Sequence, residues 1–285
     1  MATASKVVVL GSTNTDLVLR APQLPKAGQT VLGSSLQEFG GGKGANQAVA
    51  AKRAGAPVHF VGAIGDDFFG LARRAELEFE RIDITHLSVF HAVASGVALI
   101  MVDDLGENLI GVAPGANAKL TSEHIDRIPA DWLSPGNIFV TPWETPTETI
   151  RAGLARARSL GATTLFNPAP VGTIDPADDW LSLVDILILN EHELATLTGR
   201  QTASAIEAIP MIRTLHDRGV THVIVTLGSE GHLLSTEGNI EAQPAFLVEP
   251  IDTVAAGDTF VGAFASRLAE RASLRDAARW ANPTC

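Results

Sequence analysis

The chain has 285 residues, 46% of them hydrophobic and 19% charged, which excludes an intrinsically disordered chain and fits an ordinary folded protein. Its 21 Lys and Arg against 32 Asp and Glu give a net charge of −11. That argues against nucleic-acid partners, and any anionic substrate must be held by helix N-termini, a placed lysine or a metal.

Along the chain, short β-branched runs alternate with alanine-rich stretches. The first strand is expected at Val7–Leu10, followed by a polar turn and a segment, Asp16–Gly40, with alternating apolar residues and no helical period. A helix over Ala45–Ala54, a strand at Val58–Ala63 and a helix over Gly70–Glu80 come next. A second alternating segment runs from Ala94 to Gly115. Strands at Ile138–Val140, Thr164–Asn167, Ile186–Leu189 and Val223–Leu227 then alternate with helices over Thr147–Leu160, Glu191–Thr198 and Ser204–Arg218. This order predicts an α/β fold with a central, mostly parallel sheet flanked by helices. The two alternating segments, roughly 16–40 and 94–115, predict a small antiparallel β lid, and residues 1–285 read as one domain. The only cysteine is Cys285, and no apolar run approaches the ~20 residues of a spanning helix, so the reading is a soluble cytoplasmic protein without a membrane partner.

Five motifs fall at the ends of these elements. Gly40-Gly41-Gly42-Lys43-Gly44-Ala45-Asn46 enters a helix, where glycines let backbone amides approach a ligand and the helix N-terminus favours anions. It is not a P-loop, because Gly44 replaces the Ser or Thr and Gln37 the first glycine. Asp252-Thr253-Val254-Ala255-Ala256-Gly257-Asp258 opens an apolar helix and offers a nest of N–H donors beside a carboxylate. Asp258 as a plain N-cap is the alternative. Asn190 and Glu193 follow a strand, where open α/β sheets bind ligands, although acids in a first turn also complement the helix dipole. Thr226, Gly228, Ser229 and Gly231 edge a nucleotide or simply form a hairpin turn. Asn14, Asp16 and Glu144 offer partners for sugar hydroxyls.

In this order the motifs resemble the ribokinase-like (PfkB) family of carbohydrate kinases, from Val7 to about Arg279. The resemblance implies ATP-dependent phosphorylation of a sugar, with Asp258 as the base and the amides of Ala255, Ala256 and Gly257 as the anion hole. It implies a sugar site of Asn14, Asp16, Gly42, Lys43, Asn46, Glu144 and Asp258. It implies ATP contacts from Asn190, Thr226, Gly228, Ser229, Gly231, Gly257 and Asn282, and Glu193 acting through water on Mg²⁺. Asp252 and the Val254 carbonyl match the first half of a K⁺ site. Similar chains continue past this point, so the rest of that site and part of the adenine pocket are expected to be missing. A homodimer joined through the lid is implied. Other sugars or nucleosides as substrate, and a sugar-binding protein with little catalysis, are the alternative functions.

Overall fold

Valine-rich strands with both faces apolar belong in the middle of a sheet covered on both sides. In β1 (Val7–Leu10), Val8 and Leu10 enter one buried layer and Val7 and Val9 the other. The computed structural model describes residues 5–172, 174, 180–200, 205–246 and 254–282. After β1 come β2 (Asn14–Arg20), β3 (Ser35–Gly41), α1 (Lys43–Arg53), β4 (Val58–Gly65), α2 (Phe68–Phe79), β5 (Asp83–Phe90), β6 (Gly96–Val102) and β7 (Asn108–Ala113). Then follow α3 (Ser122–Asp126), β8 (Ile138–Pro142), α4 (Thr147–Leu160), β9 (Thr163–Asn167), β10 (Ile186–Asn190) and α5 (Glu191–Thr198). The chain closes with α6 (Ala205–Asp217), β11 (His222–Thr226), β12 (His232–Thr236), β13 (Asn239–Gln243), α7 (Ala256–Ala269) and α8 (Leu274–Ala281).

Among the described residues, nine strands form the main sheet in the order β13-β12-β11-β10-β9-β8-β1-β4-β5. Seven are parallel, and β12 and β13 return antiparallel at one edge. One face is covered by α3 to α6, through residues such as Ile125, Ile150, Leu194 and Ile212. The other carries α1, α7 and α8, through Ala48, Phe260, Phe264 and Ala278. Strand order reverses at β1, whose neighbours are β4 and β8, and ligands bind at the carboxyl ends beside such a reversal. No described helix is long and apolar enough to cross a membrane.

A second, four-stranded sheet has the order β3-β2-β6-β7. Its outer pairs are antiparallel, as the lid expectation had it, but the central β2–β6 pair is parallel. The reason is topological: β2 and β6 both continue outward from parallel strands of the body, β1 and β5. Two sequence boundaries also move for local reasons. The Asp67 side chain accepts from Gly70 N at 2.8 Å and starts α2 at Phe68, ahead of the expected Gly70. The Thr226–Gly231 loop does turn a hairpin, with Leu227 N donating to Gly231 O at 2.8 Å between β11 and β12.

Candidate active site

The site is built where β3 ends and α1 begins. Gly42, the N-cap of α1, has φ 89°, a conformation that a side chain would strain, and this turn aims the first helical amide inward. Lys43 N donates to Glu144 Oε2 at 3.0 Å, and Ser12 Oγ donates to the same oxygen. A carboxylate from the loop after β8 is thereby fixed to a helix N-terminus, where its charge is favoured. Asn14 and the backbone beside it are fixed by Asn117, whose Nδ2 donates to Asn14 Oδ1 at 2.8 Å while its Oδ1 accepts from Thr13 N at 3.1 Å. Asp16, next on β2, is pushed from 3.8 up to about 6, first by burial and then by the Glu144 charge, with the Arg73 guanidinium opposing.

Asp258 is the third residue of α7 and 6% exposed. It is not a cap: the N-cap is Ala255, left-handed at φ 59°, with no side-chain cap bond. Its carboxylate accepts from Gln47 Nε2 at 2.9 Å and from Asn46 Nδ2 at 3.4 Å. Gln47 Nε2 also donates to Asn167 Oδ1 at 3.0 Å, which ties the pair to β9. Close approach of α7 to α1 makes this possible, since a Cβ on Gly262 would lie 2.4 Å from the Gln47 carbonyl. Burial raises the Asp258 pKa, and the Lys43 charge and the two amide donors pull it back down.

Beside this carboxylate opens a cavity of about 210 Å³, lined by Lys43, Asn190, Glu193, Thr226 and Ala255 to Asp258. Asn190 and Glu193 form a reciprocal capping box, with Glu193 N donating to Asn190 Oδ1 at 2.8 Å and Asn190 N to Glu193 Oε2 at 2.9 Å. Burial raises the Glu193 pKa; the Asn190 amide and then the Lys43 charge oppose it. Among the described residues no three His, Cys, Asp or Glu cluster tightly enough to hold a metal by themselves. Glu193 and Asp258, the two buried carboxylates of this cavity, fit a Mg²⁺ that arrives on phosphates, which needs only one or two protein carboxylates.

Some expected residues lie apart from this cluster. Gly228, Ser229 and Gly231 sit in the β11–β12 turn beyond Thr226 and do not line the cavity. Asn282 caps the end of α8 and gives its Nδ2 to the Pro244 carbonyl at 2.9 Å. Val254 is largely exposed, and Asp252 lies outside the described residues. Sequence reasoning assigned no role to Gln47, Asn117 or Ser12. Gln47 carries a readable signal, its spacing onto the small-residue face of α1 with Gly44, Ala48 and Ala51, and the structure buries it there.

A family profile described as pfkB family carbohydrate kinase matches residues 4–284. The chain belongs to that family. Membership bears out the expected resemblance and the expectation of a carbohydrate kinase. The chain is 38% identical over 274 residues to ribokinase from Haemophilus influenzae, spanning 96% of this chain and 89% of that one. It is 35% identical over 260 residues to deoxyribokinase from Salmonella typhi, spanning 91% and 84%. The solved structure of Arabidopsis thaliana ribokinase complexed with ribose and ATP matches with a TM-score of 0.85 at 29% identity, covering 98% of this chain and 91% of that one.

Proposed function

We propose that this protein transfers the γ-phosphoryl group of ATP to the 5-hydroxyl of D-ribose. The observation that carries the reading is Asp258, buried and held by Asn46 and Gln47 between the foot of the lid and the α7 N-terminus. Asn14, Asp16, Gly42, Lys43, Asn46 and Glu144 hold the sugar hydroxyls from the lid side. Asp258 takes the proton of the 5-hydroxyl as the new O–P bond forms and the bond to the bridging oxygen of ADP breaks. Burial raises the pKa of this base and the Lys43 charge opposes the rise, and a raised pKa favours proton uptake by Asp258. The Ala255, Ala256 and Gly257 amides and the Lys43 ammonium stabilise the charge on the transferring group. Glu193 would hold Mg²⁺ through water; when bound, the ion neutralises phosphate charge. Asn190, Thr226 and the Gly228, Ser229 and Gly231 turn border the nucleotide, with Asn282 near its adenine end. Asp252 and the Val254 carbonyl would supply potassium ligands, which turnover compared in K⁺ and Na⁺ buffers tests.

The lid supports a homodimer in the cytoplasm, where ATP is supplied. By strand alternation, Leu36, Leu99 and Leu109 lie on the face opposite Asp16, and Phe39, Ile110 and Val112 on its own face; all six are exposed. A sheet apolar on both faces needs cover on both: its own sugar site on one, a second copy on the other. Sedimentation at micromolar concentration tests this.

The primary experiment is ADP formation with Mg-ATP over ribose, 2-deoxyribose, fructose and a nucleoside. Ribose as the best substrate is expected. The likeness to a deoxyribokinase makes 2-deoxyribose the sharpest competitor, and ribose as the poorest of the panel would overturn the assignment.

A further inference from the structure

Arg73, in the middle of α2, is only 4% exposed, and a guanidinium so buried requires partners. It finds two of them on the lid and a third, Glu76, one turn along α2. Nη1 donates to the Phe39 carbonyl at 2.5 Å, and Nη2 to Glu38 Oε1 at 3.3 Å and Glu76 Oε1 at 2.9 Å. Phe39 and Glu38 stand near the end of β3, just before the glycines that lead into α1. Glu76 seats on the same spot, for a Cβ on Gly40 would lie 2.2 Å from its Oε2. One residue on, a Cβ on Gly41 would lie 2.2 Å from the Asp16 carboxyl oxygens, and Asp16 is the register partner of Phe39. A buried cation of the body, its counterion and the carboxylate aimed at the sugar site thus converge on the foot of the lid.

We propose that Arg73 is a positioning residue of the sugar site, fixing the end of β3 to the body and keeping Asp16 aimed at the incoming hydroxyls. The inference rests on reading Asp16 as a sugar ligand. The carboxylates that face Asp16 are Glu144, from the loop after β8, and Asp258, from α7. Arg73, itself flanked by Glu38 and Glu76, is the cation set against them. Two functions are separable in the guanidinium: a forked set of donors that fixes geometry, and a charge that fixes ionisation.

The test is the pH profile of kcat/KM for ribose in Arg73→Gln, Arg73→Lys, Asp16→Asn and the Arg73→Gln/Asp16→Asn pair, with thermal melts as the folding check. In Arg73→Gln the ribose KM should rise about 10-fold or more with kcat changed less than about 3-fold, and the acid limb should move up by about one pH unit. Arg73→Lys, which keeps charge and loses the fork, should raise KM while leaving the limb in place. In the Asp16→Asn background, Arg73→Gln should no longer move the limb. An unmoved limb in folded Arg73→Gln overturns the inference, as does a shift that persists without Asp16, which would belong to Asp258. If Arg73→Gln does not fold, an unchanged KM in Arg73→Lys overturns it. Asp16→Asn with an unchanged ribose KM would remove Asp16 from the sugar site, and the inference with it; a raised KM there with no Arg73 effect would sink the inference alone.

Discussion

All four residues of β1 are buried, whereas all six of β7 are exposed, although both segments are rich in Val, Leu and Ile. The same contrast holds across the molecule. In the body, Phe139, Phe166, Phe260 and Phe264 are fully buried between the sheet and its helices. In the lid, Leu36, Leu99 and Leu109 are 67%, 60% and 57% exposed. Apolar composition therefore does not make a core; coverage does, and the lid has strands on two edges but no layer of its own. The body holds the Asp258 carboxylate fixed by Asn46 and Gln47, while Asp16, on β2, sits where a sheet without a core meets it.

The largest expected effect is on the body's chemistry: Asp258→Asn should fold with a near-normal melting temperature and lose ~10²–10⁴-fold in kcat, the usual contribution of a positioned base. Near-normal turnover would remove Asp258 from the reaction. Next comes the packing contrast. Phe264→Ala should destabilise the fold by about 3–5 kcal/mol, whereas Leu99→Ala should lower the unfolding free energy from urea titration by no more than about 0.5 kcal/mol when the protein is dilute. Equal losses would mean that the lid is covered in the free protein after all. If two copies pair through the lid as proposed, Leu109→Lys, on the lid face opposite Asp16, should leave only monomer in sedimentation while the melting temperature holds.

The smallest effect is on pH. The Asp16 pKa is raised from 3.8 to about 6, so the folded protein binds more protons than the unfolded chain between those values. Stability from this group is present at low pH and lost as pH rises through about 6. Asp16→Asn should therefore melt slightly higher than the parent at pH 7.5 and show a flatter dependence between pH 4.5 and 6.5. A variant that melts lower at pH 7.5 would show that the carboxylate is stabilising where it sits.

The body was legible because a buried parallel strand announces itself locally. Val7–Leu10, Thr147–Leu160 and Glu191–Thr198 begin and end where the apolar pattern and the turn residues say. The lid was legible as alternating segments, but not the parallel β2–β6 pairing, which depends on the direction of distant body strands. Asp258 was readable as a carboxylate at a helix start. Its holder Gln47 shows in the sequence only as a polar residue on the apolar face of α1, because the two partners it joins, Asp258 and Asn167, lie 211 and 120 residues away from it. Arg73 gives no local sign either: Arg73 and Arg74 look alike in sequence, yet only the former is turned inward beneath β3.

Seven consecutive register pairs, from Asn14–Gly96 to Arg20–Val102, stitch together two stretches of chain that the body keeps apart. Alone, each is only a two-stranded antiparallel pair, β2–β3 or β6–β7, and would present an unpaired edge inviting other chains. The lid can therefore be exchanged between relatives only as a matched couple of segments, 14–41 together with 96–113. If the sugar binds at Asn14 and Asp16 as proposed, a chimaera that receives both inherits a new sugar preference on an unchanged body, and one that receives a single segment inherits an aggregation-prone edge.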